Sequence, residues 1–81
     1  MAKLKMRTQR DRLEEAWKAL RAERDRRLAE TDWIVIRAYE RGEPLPEAWA
    51  AYRQALRDLP TQLTDEQVLA RGIPWPEPPE L

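Results

Sequence analysis

The sequence predicts an all-α protein, with a long N-terminal helix, a short helical hairpin, a small C-terminal helix and a proline-rich extended tail. Residues 7–30 contain no glycine or proline and are rich in residues that favour helices. Apolar residues recur at three- and four-residue intervals in the first and third segments, as on one face of a helix. Only one segment suits a β-strand, and the chain offers no second strand to pair with it.

Composition limits the classes of function. The chain has 81 residues, enough for one domain with a modest core, and its 15 basic and 15 acidic side chains leave no net charge that would indicate a partner. The chain has no cysteine and no histidine, so it lacks thiolate chemistry, the commonest general base and the commonest metal ligand. We therefore predict no catalytic, cofactor-binding or metal-binding residue.

Apolar runs are short throughout the sequence. None approaches the roughly 20 residues of a membrane span, and the first residues do not resemble a signal peptide. We expect a soluble intracellular product with no membrane partner.

Residues 1–30 are predicted to form an N-terminal amphipathic helical arm. Met6, Leu13, Trp17 and Leu20 make one narrow apolar stripe along it. Such a stripe suits a coiled-coil seam or an arm that lies on another helix, and we assign Leu13, Trp17 and Leu20 to the seam.

The second segment, residues 31–42, is predicted to be a short helix. Thr31 or Asp32 can cap its N-terminus, and Gly42 can end it in the left-handed conformation. Because this helix would be apolar almost all round, it should be buried on more than one side. The single stripe of the arm cannot cover it, which indicates a partner chain.

The third segment completes a predicted hairpin over residues 31–60. Pro46 is expected at the first helical position, and Pro60 is expected to stop the helix. The spacing between apolar residues is 4-3-4-3 along this helix, at Leu45, Trp49, Tyr52, Leu56 and Leu59. Trp49 and Tyr52 are interpreted as packing anchors, and Arg53 and Arg57 beside them as ion-pair formers.

Residues 61–81 are predicted to form a short helix and an extended tail. Thr64 and Gln67 have the spacing of a capping box, and Gly72 is expected to terminate the helix. The prolines of the following segment favour an extended conformation. Trp75 is its one large apolar group, and it either docks on a partner or folds back on the domain as a clasp.

Charge is distributed unevenly along the chain. Residues 1–30 carry ten basic and six acidic side chains, a net charge of +4, and residues 31–81 carry five and nine, a net charge of −4. A basic arm can bind nucleic acid, but acidic residues interrupt this one and its arginines surround the helix, so the pattern disfavours that role.

Two sequence blocks and the tail together resemble a known family. The blocks are RDRRLAETDW at residues 24–33 and WAAYRQALRDLP at residues 49–60, followed by the motif PWP at residues 74–76. This combination is similar to the phage tail assembly chaperone family over about residues 24–76. The linker between the blocks is more helical in character than the polar loop common in the family, and residues 1–23 have no counterpart that we can place.

The resemblance implies a protein without enzymatic activity or cofactor that binds phage tail or tail-fibre polypeptides. We predict that the partner-binding residues are Trp33, Trp49, Tyr52, Leu56 and Trp75. The chain would act in the host cytoplasm during phage assembly. The alternatives are a permanent virion component or adaptor of the tail or baseplate and, less favoured, a small nucleic-acid-binding coiled coil. Homo-oligomerisation is left open.

Overall fold

The computed structural model describes residues 7–80, which form α-helices joined by short connections. The α-helices are α1 (Gln9–Glu30), α2 (Asp32–Glu40), α3 (Glu47–Asp58) and α4 (Asp65–Ala70). A 3₁₀ turn, Leu59–Gln62, follows α3, and no strand occurs within residues 7–80. The predicted all-α fold, with a long N-terminal helix followed by shorter ones, is confirmed. Residues 72–80 adopt no regular secondary structure.

Helix α1 begins with a capping box and ends at a single turn residue. The Thr8 hydroxyl accepts a hydrogen bond from the Asp11 amide, and the Asp11 carboxylate accepts one from the Thr8 amide. Thr31 separates α1 from α2, but its hydroxyl donates backwards to the carbonyl of Leu28 over 3.0 Å. Thr31 therefore stands at the predicted cap position of α2 without capping it through its side chain. Met6, the first residue of the predicted stripe, lies outside the described residues.

The connection between α2 and α3 agrees with the prediction at one end and differs at the other. Gly42 adopts a φ of +64°, the left-handed conformation expected of it. Pro46 is the N-cap of α3, not its first helical residue, because its ψ of 136° is extended. Its carbonyl accepts hydrogen bonds from the amides of Trp49 and Ala50, so the helix starts one residue later than predicted.

Two further helix ends differ from the prediction. Helix α3 ends at Asp58, two residues before Pro60, and Pro60 lies within the 3₁₀ turn that continues the helical backbone. Its fixed φ suits this early position of the turn, where no amide hydrogen is needed. Thr64 and Gln67 form the predicted capping box. The residue that takes the left-handed conformation after α4 is Arg71, with a φ of +58°, and not Gly72. The Gly72 amide instead donates to the carbonyl of Gln67, which closes the helix one residue earlier.

The core lies where α2 and α3 meet, with α1 alongside α3 and α4. Its buried cluster consists of Ile34, Trp49, Tyr52 and Leu56. Three half-buried side chains pack against this cluster, namely Leu28, Leu45 and Trp75. No helix within residues 7–80 is long and apolar enough to cross a membrane.

Candidate protein-binding surface

Helix α2 presents a row of large apolar side chains to solvent. Trp33 is 46% exposed, Ile36 is 55% exposed and Tyr39 is 86% exposed. These three residues, spaced three apart, define the outer face of α2. The opposite side of the helix carries Ile34 and Ala38, which are buried. Because α2 packs on the rest of the chain along one side only, the apolar residues of its other side remain uncovered.

Arg37 makes a cation–π contact with Trp33, the first residue of the outer face. The guanidinium carbon of Arg37 lies 4.9 Å from the centroid of the Trp33 ring. This cation–π contact favours one orientation of the exposed indole. Glu40 and Arg41 are exposed at the C-terminal end of α2, so the surroundings of the face carry both signs of charge.

The orientation of α2 is fixed by Arg53 of α3. Its guanidinium donates to the Leu28 carbonyl over 2.9 Å, to the Thr31 hydroxyl over 2.6 Å and to the Asp32 carboxylate over 3.0 Å. These acceptors lie at the junction of α1 and α2, so one side chain holds the start of α2 against α3. The predicted ion pairing of Arg53 is thereby confirmed, whereas Arg57 donates to the side chain of Gln54.

The structure places most of the predicted partner-binding residues in the core of the chain itself. Trp49, Tyr52 and Leu56 are buried, and the rings of Trp49 and Tyr52 meet edge to face with centroids 5.8 Å apart. Among the predicted partner-binding residues, Trp33 has the most free surface. A role of the buried three in binding a partner stays a prediction.

Trp75 folds back onto the core. Its side chain is half-buried against the core cluster, and the guanidinium carbon of Arg27 lies 4.3 Å from its ring centroid. Arg27 is itself held by Glu23, with 2.8 Å between Nε and the carboxylate. This arrangement corresponds to the clasp, one of the two alternatives left open by the sequence.

The predicted seam of the arm faces other helices of the same chain. Leu20 is buried, and Leu13 and Trp17 are half-buried. The indole nitrogen of Trp17 donates to the carboxylate of Asp65 over 2.9 Å, which links α1 to the first turn of α4. Leu13 and Trp17 also line a groove that is open to solvent and has Pro60 on its other side.

A second groove, of about 720 Å³, runs between α1, α4 and the C-terminal residues. Leu20 and Val68 lie on its apolar wall, while Arg12, Glu15 and Arg71 line its polar side. It is open to solvent. Among residues 7–80, no three His, Cys, Asp or Glu side chains come close enough together to hold a metal ion.

One acidic side chain near the clasp titrates abnormally. Hydrogen bonds from Arg26, and secondarily from Arg27, lower the pKa of Glu23 from 4.5 to about 2. The same ion pair raises the pKa of Arg26 above its ordinary value. Glu23 therefore remains a carboxylate in mildly acidic solution and keeps Arg27 in position beside Trp75.

The sequence did not identify Ile36 and Tyr39 as surface residues. Their helix is apolar almost all round, so its periodicity gives no sign of which side faces solvent. The available signal was that α2 has more apolar side chains than the single apolar stripe of the arm can cover. This signal indicates that part of the helix is uncovered, but it does not identify which residues are exposed.

The chain was compared with models of known protein families, with curated proteins and with solved structures. The family model described as phage tail assembly chaperone protein matches residues 17–80. No curated protein and no solved structure matches the chain.

Proposed function

The chain belongs to the phage tail assembly chaperone family, and from this we propose that it binds tail or tail-fibre polypeptides through the outer face of α2. The family is one of assembly chaperones, which are generally not enzymes, and we extend this to the present chain. We place its action in the host cytoplasm during phage assembly.

The exposure of the outer face is the observation that supports this surface. A single exposed apolar side chain is ordinary in a soluble protein, but a contiguous group of large ones is characteristic of a protein interface. Two of the three residues, Trp33 and Tyr39, belong to a class enriched at energetically dominant interface positions. Their side chains also have few rotatable bonds, so a contact costs little conformational entropy.

The buried aromatic residues of α3 pack against the inner side of α2, opposite the outer face. Ile34 packs in the core cluster with Trp49 and Tyr52, and Arg53 fixes the start of α2. We propose that these residues hold the outer face in a defined position, and that Trp33, Ile36 and Tyr39 make the direct contact. Among the residues predicted from the sequence to bind a partner, Trp33 then contacts the partner, whereas Trp49 and Tyr52 support the helix that carries it.

The proposal is tested by substituting the outer face and counting assembled tails. A phage that lacks the gene would be complemented with the wild-type chain, Ile36→Asp, Tyr39→Asp or Ala51→Asp. Ala51 is an exposed residue of α3 and provides a control with the same added charge. We expect Ile36→Asp and Tyr39→Asp to abolish infectious particles and tails seen by electron microscopy, and Ala51→Asp to restore both.

Binding and folding are measured separately in this design. To measure binding, each variant would be co-expressed with defined tail and tail-fibre polypeptides and the amount of polypeptide that co-purifies with it would be determined. To measure folding, the free energy of unfolding of each variant would be compared with that of the wild type. Exposed substitutions usually change it by less than about 0.5 kcal/mol. If both variants of the outer face are folded and assemble tails normally, the proposal is wrong.

Mass spectrometry of purified particles distinguishes a transient chaperone from a permanent component. We expect the chain to be absent from finished particles. Its presence in a fixed ratio to other tail proteins would assign it to the virion instead.

A further inference from the structure

We propose that the C-terminal strap, defined as residues 73–80, exchanges between two copies of the chain, so that Trp75 of one copy occupies the core site of the other. The clasp seen within one chain is then the closed form of an intermolecular link. This proposal concerns self-association and does not depend on the identity of any tail polypeptide.

The site that receives Trp75 is built without any residue of the strap. Its floor is the core cluster, against which Leu28 from α1 and Leu45 from the α2–α3 connection also pack. Arg27 of α1 lies over the indole ring and is held by Glu23. Because these parts come from residues 23–56, the site can take an indole from another chain as readily as its own.

Side-chain packing alone attaches the strap. The one backbone hydrogen bond inside it runs from the Trp75 amide to the Ile73 carbonyl over 2.9 Å. Within residues 7–80, no hydrogen bond joins the strap to a helix. Lifting Trp75 from its site therefore breaks apolar and cation–π contacts, all of which re-form when a second copy supplies the same segment.

The residues before the strap form a strained hinge. Arg71 is held in the left-handed conformation, with a φ of +58°, which is unfavourable for a residue with a Cβ atom. Gly72 follows, and no neighbouring atom crowds it, since a Cβ placed there would meet nothing within 4 Å. Short hinges under strain favour exchange, since the open form relieves the strain. Four prolines keep the strap extended, so it moves as a unit.

Concentration decides between the closed and exchanged forms. A segment on a short tether has an effective concentration of roughly millimolar at its own site. Exchange therefore becomes appreciable only as the chain itself approaches that range. The net charge of the full sequence is +0, so copies are not kept apart by overall repulsion.

The first test changes the strain of the hinge while leaving Trp75 in place. Sedimentation equilibrium would be run on the wild type, Arg71→Gly and Arg71→Val from roughly 10 μM to 1 mM, the range that brackets the tether's effective concentration. Glycine removes the strain and a β-branched residue increases it. We expect the dimer dissociation constant to rise about tenfold in Arg71→Gly and to fall by a similar factor in Arg71→Val.

The second test supplies the strap in trans. A labelled peptide IPWPEPPE, copied from residues 73–80, would be titrated into full-length Trp75→Ala, with IPAPEPPE as the control peptide. We expect IPWPEPPE to bind Trp75→Ala at least tenfold more tightly than the wild type, whose own strap competes, and IPAPEPPE not to bind. Circular dichroism verifies that Trp75→Ala is folded.

Each outcome bears on the proposal. It is overturned if the wild type and Arg71→Val stay monomeric at every concentration, or if folded Trp75→Ala still dimerises or fails to bind IPWPEPPE. If Trp75→Ala does not fold, opposite shifts in the two Arg71 variants support the proposal, and equal dissociation constants overturn it. Ile36→Asp should dimerise like the wild type, which separates this link from the outer face of α2.

Discussion

The guanidinium of Arg53 donates to the carboxylate of Asp32 over 3.0 Å, between residues 21 positions apart in the sequence. The same guanidinium donates to the hydroxyl of Thr31 and the carbonyl of Leu28. Asp32 belongs to the first of the two sequence blocks that indicate the family, and Arg53 belongs to the second. One block therefore supplies the acceptors and the other the donor of a junction that fixes α2 on α3.

This junction predicts a large effect of Arg53→Ala on stability. The Arg53 side chain is only 13% exposed, and its removal leaves polar groups at the start of α2 without their donor. We expect the free energy of unfolding to fall by about 1–3 kcal/mol, as measured by urea denaturation. The control is Arg57→Ala, since Arg57 is exposed and bonds to Gln54, and its change should stay within about 0.5 kcal/mol. Equal effects of the two substitutions would contradict the role given to Arg53.

The bond between Trp17 and Asp65 predicts a measurable coupling between α1 and α4. Trp17→Phe keeps an aromatic ring but loses the donor, and Asp65→Ala removes the acceptor. Each substitution should lower the free energy of unfolding by about 0.5–1.5 kcal/mol. In a double-mutant cycle the two effects should deviate from additivity by at least about 0.5 kcal/mol. Hydrogen exchange of the α4 amides should accelerate in both variants, and strictly additive effects would show that the bond contributes nothing.

Leu56 is the core residue whose truncation should lower the stability of the chain most. Its exposure is 0%, the lowest of the described core residues, so replacement by alanine leaves a cavity in the centre of the cluster. We expect Leu56→Ala to cost about 2–5 kcal/mol, comparable with the roughly 3–5 kcal/mol that a core of this size supplies. The matched control is Leu69→Ala, at a position that is 38% exposed. Thermal denaturation should show Leu56→Ala largely unfolded and Leu69→Ala close to the wild type.

Local signals predicted the helices better than their ends. The capping box of Thr64 and Gln67 was predicted correctly because both partners lie within one turn of chain. The end of α4 was placed one residue too late, because the Gly72 amide bonds to Gln67 and leaves Arg71 in the left-handed position. Such a choice depends on how the following residues pack, and glycine content alone does not reveal it.

The exposed outer face of α2 was predictable at the level of a helix and not of its side chains. The sequence showed that α2 has more apolar surface than α1 can cover. Which side faces outward depends on Arg53 and on the packing of Ile34 against Trp49, both of which are tertiary contacts. Of the three exposed residues, only Trp33 was named from the sequence, and a role of any of them in binding a partner stays a prediction.

Glu23 makes the stability of the chain depend on pH in a defined direction. Hydrogen bonds from Arg26 and Arg27 lower its pKa from 4.5 to about 2 in the folded chain, whereas the unfolded chain retains the ordinary value. Between these values the unfolded state binds more protons than the folded state, so stability rises with pH in this range. The stabilising contribution is fully present above pH 4.5 and is lost as the pH falls towards about 2.

Glu23→Gln should remove this dependence while preserving the size of the side chain. We expect its urea midpoint to lie below that of the wild type above pH 4.5, and the two midpoints to converge as the pH approaches about 2. Glu43→Gln, at an exposed position in the connection after α2, controls for the loss of one carboxylate. Because the ion pair is at the surface, molar salt should also reduce the difference. A wild-type profile that runs parallel to that of Glu23→Gln throughout this range would show that these hydrogen bonds do not stabilise the fold.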